Sequence, residues 1–299
     1  MSVLPTQRPR PLASAAPPAR RRSLLRGLAR SRTGLIGAVL TLVVVATAAA
    51  GLLGALPYDP AAQDVSAALT APSGEHWLGT DQFGRDVFSR VAAGLGSSLL
   101  VAGGAVAVSG AVGVVLGVLA GYFGGVLDRV VGVLTNVLFA FPSLLLALAL
   151  AATLSRTRAT VALAIAVVYA PIFVRVARGP VLTLRGADYV IAATAVGQRR
   201  LATLFTHVLP NMRGIVLVQV TLSLSWAVLT EASLSFLGFG TPPPAASLGV
   251  MVFDARTLSS VAPWLLAGPG VALIVFVFGL NLLGAGLRDV LDPRAGGRR

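Results

Sequence analysis

Long apolar runs without charged residues are the feature that most constrains this 299-residue chain. A membrane-spanning helix needs about 20 predominantly apolar residues, and six runs approach or exceed that length. The shortest run ends beside Arg175 and Arg178, whose long side chains can reach the lipid headgroups from within the membrane. The runs predict an all-α polytopic membrane protein with six transmembrane helices, at residues 34–56, 91–127, 130–155, 159–174, 214–230 and 257–287.

The low content of charged residues supports this fold class. Only 12% of the residues are charged, whereas soluble domains contain about 25%, so too few charges exist to coat two soluble domains. A further uncharged stretch, 232–253, contains Thr241 followed by three prolines. Proline lacks a backbone donor and clashes with a helical neighbour, so we interpret this stretch as the end of one span followed by an external loop.

The arginines are distributed unequally between the two sides that six spans define. Nineteen of the 24 lie on the side of the termini and five on the other side. Arginine-rich loops stay in the cytoplasm, so both termini are predicted to be cytoplasmic. The net charge of +13 could instead indicate nucleic-acid binding, but that function needs basic residues interleaved with aromatic ones. Because these arginines lie between apolar runs, we expect a lipid bilayer and no nucleic acid as their partner.

Missing residue types exclude several kinds of chemistry. The chain has no cysteine and no lysine, and its two histidines lie 131 positions apart. A phosphate-binding Walker A loop requires a lysine, as does Schiff-base catalysis. Without cysteine there is no disulfide framework or thiolate metal site. We therefore expect no catalytic residue, metal or cofactor in this chain, and any ATP and Mg²⁺ should be bound by partner subunits.

The predicted spans divide the chain into five segments. Residues 1–33 should form a basic, disordered cytoplasmic tail near anionic lipid. The extracytoplasmic segment has five acidic residues against two arginines, and it could contact a partner protein or cover the mouth of the core. The segments after the first tail are a first transmembrane helix (34–56), the extracytoplasmic segment (57–90), a five-helix core (91–287) and a second cytoplasmic tail (288–299).

Four polar or amphipathic side chains interrupt the apolar runs and are candidates for a substrate pathway. A charge at the bilayer centre costs about 2.5–3.5 kcal/mol, so Glu231 should lie near an interface or face a cavity. Each of the four could equally bond to a neighbouring helix, and Glu231 could accept bonds from Ser233 and Ser235. The candidates are Asn136, Gln219, Trp226 and Glu231.

The second run contains Gly113, Gly117 and Gly121 at four-residue spacing. Residues with this spacing share one helix face, and glycines there let a second backbone approach closely. The helix that packs against this stripe could belong to the same chain or to a second subunit.

The loop at 179–212 has helical periodicity on either side of Gly197. Apolar residues recur at helical spacing before and after this glycine, so that both stretches have an amphipathic face. A glycine between two helices lets the chain turn, and Pro210 is expected to stop the second helix. The loop therefore predicts a helical hairpin on the cytoplasmic surface. Its apolar residues are Tyr189, Ala192, Ala193 and Val196, followed by Leu201, Leu204, Phe205 and Val208.

Several motifs in one order resemble the ABC importer permeases. Two of them, in the hairpin, resemble the EAA loop of that family, although Ile191 stands where this loop usually has glutamate. A third, before the second span, is similar to permeases for dipeptides, oligopeptides and nickel. The motifs are DYVIAATAVG at 188–197, HVLPN at 207–211, HWLGTDQFGRD at 76–86, GYFGG at 121–125, AFP at 140–142, LSFLGFG at 234–240 and GLRDVLDPR at 286–294.

The resemblance implies a type I ABC importer permease fold in a bacterial cytoplasmic membrane, with a coupling helix at 187–198. It also implies a homologous second permease, two ATPase subunits and an extracytoplasmic substrate-binding protein as partners. Di- or oligopeptides are the expected substrates, with nickel complexes, glutathione or haem as alternatives. The residues expected to couple to an ATPase are Asp188, Tyr189, Ala192, Ala193, Val196, Gly197, Gln198 and Arg199.

Two other function classes are compatible with a polytopic chain. A secondary transporter would keep ionisable residues near the membrane midplane, and apart from Glu231 the spans lack them. An intramembrane enzyme would need a nucleophile beside a base, or a metal cluster, and the sequence indicates neither. A requirement for ATP would separate the three classes.

Overall fold

The computed structural model describes residues 27–29, 31–242 and 244–291. Most of the first predicted tail, most of the second and Pro243 therefore lie outside the described residues. Within them the chain is helical, and the β pairing is limited to a single bridge between Thr80 and Asp86. The class predicted from the apolar runs, an all-α chain, is confirmed.

The helices are connected by short turns, except for the longer segment between the first two. A 3₁₀ turn lies in that segment at Val65–Ala67, and a π turn lies at Leu204–Val208. In chain order the helices are α1 (Arg32–Leu53), α2 (Val87–Phe123), α3 (Gly125–Phe139), α4 (Ser143–Thr153), α5 (Arg158–Leu184), α6 (Asp188–Ala195), α7 (Arg200–Thr203), α8 (Leu209–Phe236), α9 (Leu248–Ala255) and α10 (Trp264–Leu291).

Five helical stretches are long and apolar enough to cross a bilayer, and a bent helix pair makes a sixth if it is counted as one span. The pair consists of α3 and α4, whose axes are bent by 91°, and it lies at the predicted third span, 130–155. Pro142 explains the bend, because proline disfavours the helical conformation in the residue before it. The polytopic class is confirmed, and the predicted third span is a bent helix pair.

The connections between the helices gather at two ends of the bundle. At one end, Arg185 donates to the carbonyl of Gly121 at the end of α2 (3.1 Å). At the other end, Trp264 at the start of α10 donates through Nε1 to the carbonyl of Thr80 (3.1 Å). We call the first the hairpin end, because residues 188–208 lie there, and the second the distal end. This grouping agrees with the sides predicted from the order of the apolar runs.

The glycine stripe of α2 packs against a helix of the same chain. A Cβ atom at Gly117 would lie 2.4 Å from the carbonyl oxygen of Val174, and one at Gly113 would lie 2.6 Å from that of Ala170. The backbone of α5 therefore lies directly on the stripe, which only glycine permits at this separation. The contact found is the one within the chain.

The expectation that Pro210 stops the second hairpin helix is wrong. Residues Arg200–Phe236 form one continuous helix, in which α7 leads through the π turn into α8. The amide of Leu209 donates to the carbonyl of Leu204, five residues earlier. A proline ring clashes with the carbonyl four residues before it in a regular α-helix, and the wider π turn relieves that clash.

Candidate functional site

The hairpin formed by α6, α7 and the π turn is anchored to the bundle by apolar contacts. Val190, Leu204 and Val208 are each no more than 2% exposed. They pack in one cluster with Val118 of α2 and Val181 of α5. Burying an aliphatic side chain of this size stabilises a structure by about 1.5–3 kcal/mol. One side of the hairpin is therefore held firmly against the hairpin end of the bundle.

The other side of the hairpin is apolar and exposed. Val196 is 85% exposed, and other large apolar side chains beside it are also open to the surroundings. Exposed apolar patches on folded proteins mark sites of interaction. We call these side chains the hairpin surface; they are Tyr189, Ile191, Val196, Leu201 and Phe205.

Gly197 makes the turn between α6 and α7. Its φ is +84°, a left-handed conformation that costs other residues about 1–2 kcal/mol. The backbone amide of Gln198 donates to the carbonyl of Ala193 (3.1 Å) and so closes α6. Its side chain then crosses the hairpin, donating to Thr206 (3.2 Å) and placing Oε1 3.3 Å from Nε2 of His207. The turn is fixed at both of its sides.

The predicted coupling residues all lie on this hairpin, and most of them face away from the bundle. Ala193 and Gln198 are half-buried and the rest are exposed. Val190 is the buried contact of α6, and sequence reasoning missed it because the spans beneath the hairpin, rather than local spacing, decide which face is covered. The exposed coupling residues are Asp188, Tyr189, Ala192, Val196, Gly197 and Arg199.

The four pathway candidates do not form one site. Asn136 on α3 and Trp226 on α8 are exposed, whereas Gln219 is half-buried and donates to Ser223 of its own helix (2.9 Å). Gln219 and Trp226 are seven residues apart, so they share a face of α8. Glu231 is five residues beyond Trp226, on a different face of the helix, and it is buried.

Glu231 is enclosed by serine hydroxyl groups from three regions of the chain. Ser98 of α2 donates to Oε2 (2.6 Å), and Ser235 of α8 donates to Oε1 (2.8 Å). Ser247, just before α9, donates to Oε1 at 3.4 Å. Ser235 was one of the two expected partners, but Ser233 bonds instead to a backbone carbonyl of its own helix. The carboxylate therefore joins α2, α8 and α9.

Asp81 organises the segment between α1 and α2 at the distal end. Its carboxylate accepts from the amide of Phe83 (2.9 Å) and from the amide and Nε of Arg85 (3.0 and 2.7 Å). Arg90 of α2 lies 3.6 Å from the same carboxylate and donates to the carbonyl of Pro60 (3.0 Å). Charge-assisted bonds of this kind are stronger than neutral ones, so they fix the segment to the start of α2.

A cleft of about 410 Å³ opens at the distal end, between the end of α8, α9 and the connection before α5. Arg156 and Arg256 line it from two different connections. The guanidinium carbon of Arg156 lies 5.4 Å from the ring centre of Phe239, and that of Arg256 lies 3.8 Å from that of Phe253. Both arginines are therefore oriented by aromatic rings.

Asp254 lines the same cleft from α9. Burial raises the pKa of this carboxyl above its usual range, while the guanidinium groups of Arg85 and Arg90 oppose the rise. Phe236 and Phe253 supply an apolar wall, with ring centres 5.5 Å apart in an edge-to-face arrangement. The cleft thus combines positive, negative and apolar groups.

The helices and the hairpin together define a class of protein. Five spanning stretches and a bent pair form a multi-pass helical bundle, and one end of it presents an anchored hairpin with an uncovered apolar surface. Residues 113–297 match the family described as "Binding-protein-dependent transport system inner membrane component". The chain belongs to this family of ABC importer permeases.

Relatives named for transport functions are similar to this chain over most of its length. The dipeptide transport system permease DppC of Alkalihalophilus pseudofirmus is 37% identical over 91% of this chain and 90% of its own length. The probable D,D-dipeptide transport system permease DdpC of Escherichia coli is 41% identical over 81% of each chain. The glutathione transport system permease GsiD of Pectobacterium atrosepticum is 37% identical over 86% of this chain and 84% of its own length.

Proposed function

We propose that this chain is the permease subunit of an ATP-driven importer of di- or oligopeptides. Relatives named for dipeptide and D,D-dipeptide transport, at 37% and 41% identity, support this substrate class. Because the chain lacks the lysine of a Walker A loop, ATP and Mg²⁺ belong to two partner ATPase subunits. A homologous second permease and an extracytoplasmic substrate-binding protein complete the assembly. The chain itself makes and breaks no covalent bonds.

The hairpin surface is the observation that carries this proposal. Five large apolar side chains are exposed on a hairpin whose opposite side is buried, which is the arrangement expected of a rigid element that docks into another protein. We assign the docking to one ATPase subunit. The order of the predicted spans assigns nineteen of the 24 arginines to the side of the hairpin, and on this basis we assign the hairpin and both termini to the cytoplasmic side of a bacterial inner membrane.

The apolar character of the hairpin surface also predicts the chemistry of the ATPase groove. Ile191 is 53% exposed at the position where the related loops usually have glutamate. A groove that accepts an isoleucine needs an apolar wall, since an unpaired charge there would be desolvated without compensation. Docking at this position rests on apolar packing and not on an ion pair.

A pair of matched valines tests the docking. Val196 on the hairpin surface is 85% exposed, and Val65 at the distal end is 82% exposed. Val196→Asp should abolish co-purification of the ATPase subunits and peptide-stimulated ATP hydrolysis, because it places a charge in an apolar interface. Val65→Asp should leave both unchanged. If both variants lost ATPase binding, or if both kept it, docking through the hairpin surface would be contradicted.

Glutathione is a second candidate substrate, favoured by the relative named for glutathione transport at 37% identity. The two substrates are separated by binding measurements on the cognate delivery protein with dialanine and with glutathione. Uptake by the reconstituted assembly must also stop when ATP is withheld. Uptake that continues on an ion gradient alone would identify a secondary transporter instead.

The polar face of α8 is the region of this chain that we assign to the substrate pathway. Gln219 and Trp226 share that face, and Thr230 follows four residues after Trp226 with its hydroxyl 3.0 Å from that of Tyr169. A face that carries an amide and an indole offers donors to the peptide groups of a substrate, whereas the Thr230 hydroxyl donates to the carbonyl of Trp226. Asn136 lies on α3 and is exposed. It contributes to this pathway only if the bent pair α3 and α4 brings it to the polar face of α8.

A further inference from the structure

The distal cleft contains two arginines that form no close ion pair. Within the residues that the structure describes, neither Arg156 nor Arg256 has a carboxylate oxygen within 4 Å. Two other arginines near the cleft, Arg85 and Arg90, by contrast form ion pairs with Asp81. Arg156 and Arg256 thus bring positive charge into a cleft that Asp254 also lines and that has apolar walls.

The aromatic contacts prepare these arginines to bind an anion. A guanidinium held over an aromatic ring by a cation–π contact is restrained in position, and its N–H groups can still donate to a ligand. Those edge groups match the two oxygens of a carboxylate. Since Arg156 precedes α5 and Arg256 follows α9, a carboxylate held by both would bridge two separate elements.

The volume and the remaining wall fit a small zwitterionic ligand. Sites for small molecules occupy roughly 300–1,000 Å³ and combine apolar walls with a few convergent polar groups, and this cleft measures about 410 Å³. Asp254 supplies one negative group on the same wall. A short peptide has a carboxylate at one end and an ammonium at the other, which matches this distribution of charge.

We infer that the distal cleft is an entry site for short peptides, in which Arg156 and Arg256 bind the C-terminal carboxylate and Asp254 faces the amino terminus. This inference rests on the proposed function, because it names where that substrate first contacts the permease. The cleft borders the end of α8 at Ser235, which is itself bonded to Glu231, so the site adjoins the cluster that joins α2, α8 and α9.

Direct binding to the purified assembly tests the site without the delivery protein. Saturation-transfer difference NMR with dialanine should give a signal for the intact permease–ATPase assembly in nanodiscs. Arg156→Gln with Arg256→Gln should weaken this binding by about tenfold or more, the loss expected for a charge-assisted hydrogen bond. Dialanine amide, which lacks the carboxylate, should bind the wild-type assembly as weakly as dialanine binds the double variant.

Arg158→Gln is the matched control, because Arg158 is an exposed arginine two residues from Arg156 that does not line the cleft. It should bind dialanine as the wild type does. Absence of a wild-type signal, or equal signals from the double variant and this control, would overturn the entry site. So would a double variant that loses only its affinity for the delivery protein, which would identify an acidic protein surface as the occupant.

Transport assays keep this test distinct from that of the proposed function. If the wild-type assembly with its delivery protein imports no dialanine or other short peptide, the proposed substrate class is wrong. If it does import them and the double variant imports with an unchanged KM, the substrate class stands and the entry site is wrong. The expected result is a KM raised about tenfold, with ATP hydrolysis in the absence of peptide unchanged.

Discussion

The distal end of the bundle and the hairpin at the opposite end are held in place by different contacts. At the distal end, the carboxylates of Asp81, Asp86 and Glu231 each accept several hydrogen bonds, and these bonds join α2, α8, α9 and the segment before α2. At the hairpin end, α6 and the π turn are anchored by the burial of aliphatic side chains. Carboxylates with several donors fix geometry, whereas apolar contacts tolerate small shifts.

The difference extends to what each end leaves exposed. The hairpin surface presents apolar side chains such as Val196 and Phe205, and the distal cleft presents charged ones such as Arg156 and Arg256. We therefore expect the distal cleft to offer charge to a ligand and the hairpin surface to be covered by another protein. The predictions below test this contrast.

The largest loss of stability is expected from Glu231→Ala at the distal end. It removes the acceptor of three buried hydroxyl groups and leaves a cavity, and each unsatisfied buried group costs about 1–3 kcal/mol. Thermal unfolding in detergent should show a loss of about 3 kcal/mol or more. Glu231→Gln keeps one acceptor oxygen and should lose less. If both variants unfold as the wild type does, the distal end is not held by this cluster.

A smaller loss is expected from Gly117→Ala beneath the hairpin end. The new Cβ would lie 2.4 Å from the carbonyl of Val174, so α2 and α5 must separate, and overpacking of this kind costs about 1–3 kcal/mol. Gly103→Ala on the same helix meets open space and should be neutral or slightly stabilising, because alanine is the better helix former. The same thermal assay compares them; equal losses would refute the close packing.

Gly197→Ala should affect the hairpin alone, by about 1–2 kcal/mol, because alanine is strained at a φ of +84°. Hydrogen exchange should become faster at the amides of α6 and α7 while the global unfolding transition stays in place. Gly186→Ala is the control. A Cβ at position 186 would have its nearest neighbour at 3.7 Å, and the backbone of Gly186 does not have a positive φ. Faster exchange in both variants would remove the special role of Gly197.

The smallest effect on stability is expected from Phe205→Ala on the hairpin surface. Its ring is 64% exposed, and exposed substitutions of this kind stay within about 0.5 kcal/mol. Phe83→Ala at the distal end removes a ring that lies 4.7 Å from the guanidinium of Arg85 and should cost up to about 1 kcal/mol. In the assembly the ranking of the two variants should reverse: Phe205→Ala should weaken ATPase binding, and Phe83→Ala should not. If Phe83→Ala weakened ATPase binding more than Phe205→Ala does, the contrast between the ends would be contradicted.

The features of the fold that depend on local chemistry could be predicted from the sequence. The apolar runs indicated the spans, and Gly197 was expected at the turn that it makes with a φ of +84°. Pro142 is a residue type that bends helices, although the angle of 91° depends on what packs on either side. The prediction that Pro210 ends the helix was wrong, because a π turn just before it accommodates the proline. No local sequence pattern predicts such a turn.

The features that depend on distant residues could not be predicted. Ser98 reaches Glu231 across 133 positions of sequence, and the sequence suggested only the serines next to that glutamate. Val190 is buried because α2 and α5 lie beneath it, whereas the spacing of α6 favoured the opposite face. The distal cleft likewise needs Arg156 and Arg256, which are far apart in the sequence and carry no shared motif.

The unbroken helix from Arg200 to Phe236 has a consequence for how far a local push travels. At 1.5 Å per residue its 37 residues measure about 55 Å, so one tip carries Phe205 and the other carries Glu231. Its irregular stretch, the π turn at Leu204–Val208, lies at the first tip, and α8 runs on from there to Phe236 as an α-helix. We therefore expect a tilt imposed on the start of α8 by a neighbouring subunit to reach the groups around Glu231.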